Sequence, residues 1–130
     1  MNMLEKATPL LSPYSAQTQF YKALAHPVRL AILDILRNGE ECVCHMEAAL
    51  GYRQAYLSQQ LSVLREANII QDRRDGWNIF YRIVKPEIFP VMDQVRIVLG
   101  EKVKDIPQRQ NAEKCPCPKC AAENETALKK

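Results

Sequence analysis

The sequence predicts a mainly α-helical domain with one small β-hairpin, in the order α-α-α-α-β-β-α. Three observations predict it. Apolar residues recur at helical spacing in the first half of the chain, up to Ala67. The period then changes around Asp75-Gly76, a two-residue hairpin signal between residues 69–74 and the aromatic, β-branched run of residues 77–83. Helical spacing returns after Pro86.

Residues 1–13 hold Pro9, Ser12 and Pro13 with little periodicity and read as a loose N-terminal arm. A first helix is expected from Ser15, with Phe20, Leu24 and, less cleanly, Tyr21 on one face. His26-Pro27 interrupts it, because proline disfavours helical geometry in the residue before it. Pro27 then suits the first turn of a second helix. Val28, Ala31, Ile32, Leu33, Ile35 and Leu36 give that helix a broad apolar face, and Asn38-Gly39 stops it. A short third helix is expected from Cys42 or Cys44 to Leu50, ended by Gly51. The fourth runs from about Arg53 to Ala67, with Leu57, Leu61 and Leu64 facing the core at i, i+4 and i+7. Asn68 lies where this helix closes in a left-handed conformation. Two helices joined by a glycine turn and followed by a hairpin outline a helix-turn-helix with a wing. Pro86 opens the last helix, and Pro90 is tolerated in its first turn. Beyond Pro107 the chain becomes polar and aperiodic.

Composition sets the bounds. The chain has 130 residues, 47% hydrophobic and 25% charged, which is ordinary for one soluble domain with a tail. Its net charge of +3 permits nucleic-acid binding without demanding it. No run approaches the roughly 18 apolar residues of a membrane span. The first residues carry Glu5 and no apolar block follows, so no secretory signal is read and a cytoplasmic location is expected. All 5 cysteines fall in two tight clusters, Cys42 and Cys44, then Cys115, Cys117 and Cys120. In a reducing compartment such clusters are more often metal ligands or redox thiols than structural disulfides. Isolated cysteines act as small buried hydrophobes, but clustering of this kind argues against that reading. Thiolate chemistry joined to DNA-reading geometry indicates a sensor, not an enzyme.

Four pieces in order resemble the ArsR/SmtB family of winged-helix metal-sensing repressors over about residues 19–88. They are Ala23-Leu24-Ala25-His26-Pro27-Val28-Arg29-Leu30, Cys42-Val43-Cys44, Leu57-Ser58-Gln59-Gln60-Leu61-Ser62-Val63-Leu64-Arg65-Glu66-Ala67, and a wing ending Phe80-Tyr81-Arg82. The resemblance implies a homodimer that binds double-stranded operator DNA when free and releases it when an inducer binds. The resulting organisation is a flexible arm over residues 1–13, a winged-helix DNA-binding and dimerisation domain over 14–106, and a flexible cysteine-bearing tail over 107–130. Three departures matter. Arsenic sensors of the family commonly carry a third cysteine where Glu47 stands. The serine and histidine common in the family's recognition helix are here Arg53 and Gln60. The last helix holds no histidine, so the family's zinc site on that helix is expected to be absent.

Two cysteines at i and i+2 project about 200° apart on a regular helix, so a continuous helix does not easily chelate with both. They can converge at a helix start, where the first residue is not yet helical. That position also lowers a thiol pKa, because the helix dipole stabilises the thiolate. A chelate there is most comfortable with the first turn extended or unwound, and it would work against the helix that supports the recognition helix. Two thiolates alone make a weak site. Arsenite and antimonite prefer three sulfurs, and softer divalent ions such as cadmium or lead take three or four. The expected inducer is therefore a thiophilic metal(loid), As(III) or Sb(III) first and Cd(II) or Pb(II) next, with no organic cofactor. Cys115, Cys117 or Cys120 is the expected supply of the completing sulfur, within one subunit or across the dimer. Cys115 or Cys117 is favoured because they lie nearer to Leu99. The alternative is that the tail cluster is an independent scavenger or has no role. His45 is a candidate nitrogen ligand, but beside Cys44 it is expected to point into solvent. His26 is expected to be a structural residue at a helix start.

Gln54, Ser58 and Gln59 can face outward while the leucines pack inward, so the fourth helix fits a major groove, with Gln60 beside them. Glutamine suits bidentate contact with adenine, and Arg53 could reach a phosphate or a guanine. Arg73 and Arg74 in the wing are expected to meet the DNA backbone or minor groove. Tyr52 and Tyr56 could contact DNA or pack in the turn. The expected dimer face is Phe20 and Leu24 with Ile88, Val91, Met92, Val95 and Leu99. One rival reading of the same fold is a redox or polysulfide sensor, in which Cys42 or Cys44 links to a tail thiol. Another is a thiol oxidoreductase or metal chaperone. That one is disfavoured because the Cys-x-x-Cys spacing, Cys117 to Cys120, falls in the tail and not at a strand-to-helix junction.

Overall fold

The computed structural model describes residues 9–100. A 3-10 turn, Pro9–Leu11, leads into α1, Ser12–Leu24. Helix α1 therefore begins inside the arm expected over residues 1–13; residues 1–8 lie outside the described residues. Pro13 sits in the first turn of α1. A proline costs nothing there, because its missing N–H is one of the donors a helix start leaves unpaired. His26 is extended (φ −156°, ψ 130°) and its Nδ1 accepts the Val28 N–H at 3.1 Å, capping α2, Pro27–Ile35. This is the structural role its place before proline suggested. A second 3-10 turn, Leu36–Asn38, reaches Gly39.

After Glu40, two residues form β1, Glu41–Cys42, a strand that sequence reasoning missed. The helix-turn-helix follows as α3, Val43–Leu50, and α4, Gln54–Glu66. Gly51 at φ +76° makes the tight turn between them, with its N–H on the Glu47 carbonyl at 2.9 Å. Asn68, at φ +59°, closes α4 in the left-handed region as expected, and the Ile69 N–H reaches back to the Leu64 carbonyl at 3.1 Å. Strands β2, Ile70–Asp75, and β3, Asn78–Ile83, pair antiparallel, and β1 adds to the far side of β3 to give the order β1-β3-β2. Asp75 pairs with Asn78, so the turn is built from Gly76 and Trp77, one residue later than the Asp75-Gly76 signal read from sequence. Gly76 has φ +62°, the positive value that the first central position of a type II′ turn needs. Helix α5, Ile88–Leu99, closes the domain at Gly100, with Pro90 in its first turn.

The core lies between α2, α3, α4 and the sheet. Ile32, Leu33, Met46, Leu57, Leu61, Leu64 and Ile69 are fully buried. Each such side chain stabilises the fold by about 1.5–3 kcal/mol. Met46 of α3 and the three leucines of α4 fix the pose of the recognition helix through this core. A separate small cluster joins Cys42 and Phe80, with Cys44 against it. Helix α5 is tied to α2 by charge. Arg37 makes a two-pronged contact with Asp93 at 3.0 and 2.9 Å, and it also bonds Asp34 at 3.0 Å. The buried Asp34 receives Arg96 as well, and the Arg37 guanidinium lies 4.7 Å from the centre of the Phe89 ring.

Candidate thiol switch and DNA-reading surface

Cys42 ends β1 and caps α3. Its backbone is extended (φ −85°, ψ 158°), which sends its sulfur back over the first helical turn, where Sγ accepts the His45 N–H at 3.2 Å. Cys44 lies in that first turn. The two sulfurs meet and are joined as a disulfide, with the Cα atoms 5.3 Å apart. The convergence expected of a pair at a helix start is thus present, for the expected reason: the first cysteine is not helical. Cys42 is 1% exposed and Cys44 half-buried, so a reagent from solvent meets Cys44 first.

His45 departs from its expected place. It is 1% exposed, not turned to solvent. The helix is short and covered by the sheet on one side and α4 on the other, so its first turn buries Val43, His45 and Met46. Cys44 and Glu47 are left on the outer side, at i and i+3. Among the described residues no group of three or more His, Cys, Asp or Glu could hold a metal ion. Reduced to thiolates, the pair would offer two converging sulfur donors, with a backbone N–H already directed at one of them. Cys115, Cys117 and Cys120 lie outside the described residues.

On α4, Arg53 caps the helix in an extended conformation, Gln54 and Gln59 are exposed and Ser58 is half-exposed. Gln60 turns away from this face. It is half-buried, and its Oε1 is sealed from solvent with no hydrogen-bond partner among the described residues. Its place between the inward leucines explains the difference. Tyr52 and Tyr56 pack in the turn: their rings lie 5.1 Å apart, and the Tyr56 hydroxyl is 3.4 Å from His26 Nε2. Because His26 Nδ1 is an acceptor, the neutral ring carries its proton on Nε2 and donates to Tyr56.

Both wing arginines are exposed, but their contacts differ. Arg73, expected to meet DNA, is held by Glu40 through Nε at 3.1 Å and Nη2 at 2.6 Å, and it lies 4.8 Å from the centre of the Phe80 ring. Those hydrogen bonds, donated to the Glu40 carboxylate, hold its guanidinium above its ordinary pKa. The cause is register, since Arg73 pairs directly with Phe80 across the sheet. The expected dimer residues also divide. Leu24, Ile88 and Met92 belong to the protomer's own core and Phe20 packs half-buried on it, whereas Val91, Val95 and Leu99 are exposed together with Val98.

This arrangement has relatives. A sequence model described as bacterial regulatory protein, arsR family, matches residues 26–72. The chain is 37% identical over 93 residues to Rv0081 of Mycobacterium tuberculosis, an uncharacterised HTH-type transcriptional regulator, covering 71% of this chain and 82% of that one. The chain belongs to the ArsR family. The crystal structure of Rv0081 superposes with a TM-score of 0.62 over 72% of this chain and 92% of that one, at 37% identity. The biofilm growth-associated repressor of Agrobacterium fabrum is 52% identical over 64 residues, 49% of this chain and 55% of the other. The solution structure of Mb0332 from Mycobacterium bovis, a homodimeric winged helix-turn-helix DNA-binding domain, matches with a TM-score of 0.62 and 28% identity, covering 72% of this chain and 87% of that one. This ArsR-family chain is a transcriptional repressor of the ArsR/SmtB type with a winged helix-turn-helix fold. No helix among the described residues is long and apolar enough to cross a membrane.

Proposed function

We propose that the protein binds operator DNA as a homodimer and releases it when Cys42 and Cys44 capture a thiophilic metal(loid), arsenite or antimonite first and cadmium or lead next. The observation that carries this reading is the convergence of the two sulfurs at the start of α3, the helix packed against the recognition helix. The exposed polar residues of α4 and Arg74 supply the DNA face. The exposed apolar residues Val91, Val95 and Val98 supply a dimer face, and the related Mb0332 domain is a homodimer. A third sulfur comes from Cys115, Cys117 or Cys120.

The disulfide favours a second reading, a redox or polysulfide sensor, with Cys42 and Cys44 linked to each other and not, as the sequence suggested, to a tail thiol. The ion is preferred because of what each event does to α3. With the disulfide closed, α3 is intact and packed on α4. Sulfurs bonded to each other lie about 2.05 Å apart. Two thiolates sharing one ion through bonds of about 2.3 Å are held well beyond that distance. An ion therefore sets the sulfurs farther apart than the disulfide does, and with a third ligand drawn to it, it disturbs the support of the recognition helix more.

The test uses reduced full-length protein on a duplex selected from a random pool by the protein itself. Its affinity is followed while arsenite, antimonite, cadmium, lead, zinc and a polysulfide are added in turn. Release by arsenite or antimonite that a competing dithiol reverses supports the leading reading. Release by polysulfide alone, reversed by reductant, transfers support to the second. Deleting residues 107–130 should weaken the response to the ion severely; an unchanged response would remove the tail from the ligand set.

A further inference from the structure

We propose that Arg73 transmits the state of the Cys42–Cys44 pair to the wing, held in place by Glu40, and that Arg74 serves as the wing's phosphate contact. This inference rests on the thiol-switch reading above. Cys42 pairs with Phe80, and Phe80 pairs with Arg73, so the three residues stand in one row across the sheet, with side chains on one face. Phe80 is buried against Cys42 and Cys44, and its ring is covered by the Arg73 guanidinium at 4.8 Å. Glu40 stands two residues before Cys42, just ahead of β1, and grips Arg73 with three hydrogen bonds of 3.1, 3.1 and 2.6 Å. Two contacts thus tie one wing side chain to the thiol segment, one through the ring and one through the backbone leading into β1. An arginine that stacks on a ring and gives its fork to a carboxylate has its charge answered within the protein. Both arginines are exposed, but Arg74, next along β2, has its side chain on the opposite face of the hairpin, away from Phe80 and Glu40. A change at Cys42 that shifts the end of β1 must move Phe80, Glu40 or both, and Arg73 moves with them.

The experiment uses the full-length chain with Cys115, Cys117 and Cys120 changed to serine, so that Cys42 and Cys44 are its thiols. Its pair is cycled between dithiol and disulfide with dithiothreitol and diamide. Each closure forms one S–S bond and passes two electrons and two protons to the diamide N=N group, giving the hydrazine. The Arg73 Nε–H resonance, assigned with Arg73→Lys, should be protected in the parent and lose protection in Glu40→Gln. It should shift between the dithiol and disulfide states, and Cys42→Ser should abolish the shift. An identical resonance and identical wing amide exchange in both states would overturn the coupling.

A second arm uses the reduced protein with all 5 of its cysteines and measures operator binding against salt. Arg74→Ala should lower the log–log slope by about 0.9 per protomer. Arg73→Ala and Arg73→Lys should leave it nearly unchanged, while arsenite-induced release falls at least fivefold from the parent ratio. A slope loss in Arg73→Ala equal to that of Arg74→Ala would make Arg73 an ordinary phosphate contact and overturn the proposal. The two readings fail separately. A five-cysteine parent that ignores arsenite, while the Arg73 resonance still follows the pair in the serine-tail protein, defeats the metal(loid) switch alone. A parent that releases DNA with Arg73 unmoved defeats the coupling alone.

Discussion

Cys42 carries two duties that substitutions can separate. It caps α3 through its sulfur and it is half of the thiol pair. Serine keeps a side-chain acceptor at the cap, whereas alanine leaves the His45 N–H without it. Cys42→Ala should therefore lose about 1 kcal/mol of stability in denaturant unfolding of the reduced protein, and Cys42→Ser much less. Equal losses would remove the cap from the account. The convergence of the two cysteines was legible in the sequence, because spacing two apart converges only where the helix has not begun; their closure on each other as a disulfide was not, since the sequence offered the tail thiols as partners. The burial of His45 was not. Which side of an eight-residue helix faces the sheet depends on β1, and two residues carry no period from which to read a strand. Gln60 was misplaced because it is a polar residue on a helix with a genuine outer face, and only packing decides which polar side chain turns inward. The Glu40 contact of the exposed Arg73 was not legible either, because it depends on the register that sets Arg73 opposite Phe80.

At the scale of elements, the joint between α2 and α5 is the feature whose chemistry responds to pH. Hydrogen bonds from Arg37 hold the Asp93 carboxyl below its ordinary value. A carboxylate depressed in the folded state adds stability that is fully present above its unfolded pKa and is lost as pH falls through the folded one. The stability of the parent should thus drop below about pH 4 more steeply than that of Asp93→Asn. At neutral pH that variant should lose no more than about 1 kcal/mol, because the Asp93 side chain is 45% exposed. Asp34 is different: its side chain is 6% exposed and it answers two arginines. Asp34→Ala should cost about 3 kcal/mol in the same unfolding experiment. The helices themselves were readable from apolar spacing and from the punctuation at Pro27, Gly51 and Asn68. The start of α1 was not, since Pro9 and Pro13 look like breakers until one sees that Pro13 occupies a first turn. The hairpin was found but offset by one residue, because Asp75-Gly76 carries the turn signal while pairing extends through Asp75.

For the whole molecule, the reading requires two protomers and one switch. Val91, Val95 and Val98 repeat at i, i+4 and i+7 on the outer side of α5, at 41%, 51% and 78% exposure. Burying such side chains is worth about 1.5–3 kcal/mol each at a mated surface. Val95→Asp should shift the protein toward monomer in sedimentation at micromolar concentration and weaken operator binding with it; an unchanged dimer would move the interface elsewhere. The sequence marked this stripe but could not divide it. Ile88 and Met92 share its period and are consumed by the protomer's own core. The central claim is that Cys42 and Cys44 govern release without touching DNA. Its most direct test is the operator affinity of reduced parent, Cys42→Ser and Cys44→Ser, each measured without and with saturating arsenite. All three proteins should bind the operator within about twofold when free of the ion, with arsenite weakening the parent at least tenfold, about 1.4 kcal/mol, and leaving both serine variants bound. Release of either variant to the parent's extent would contradict the account.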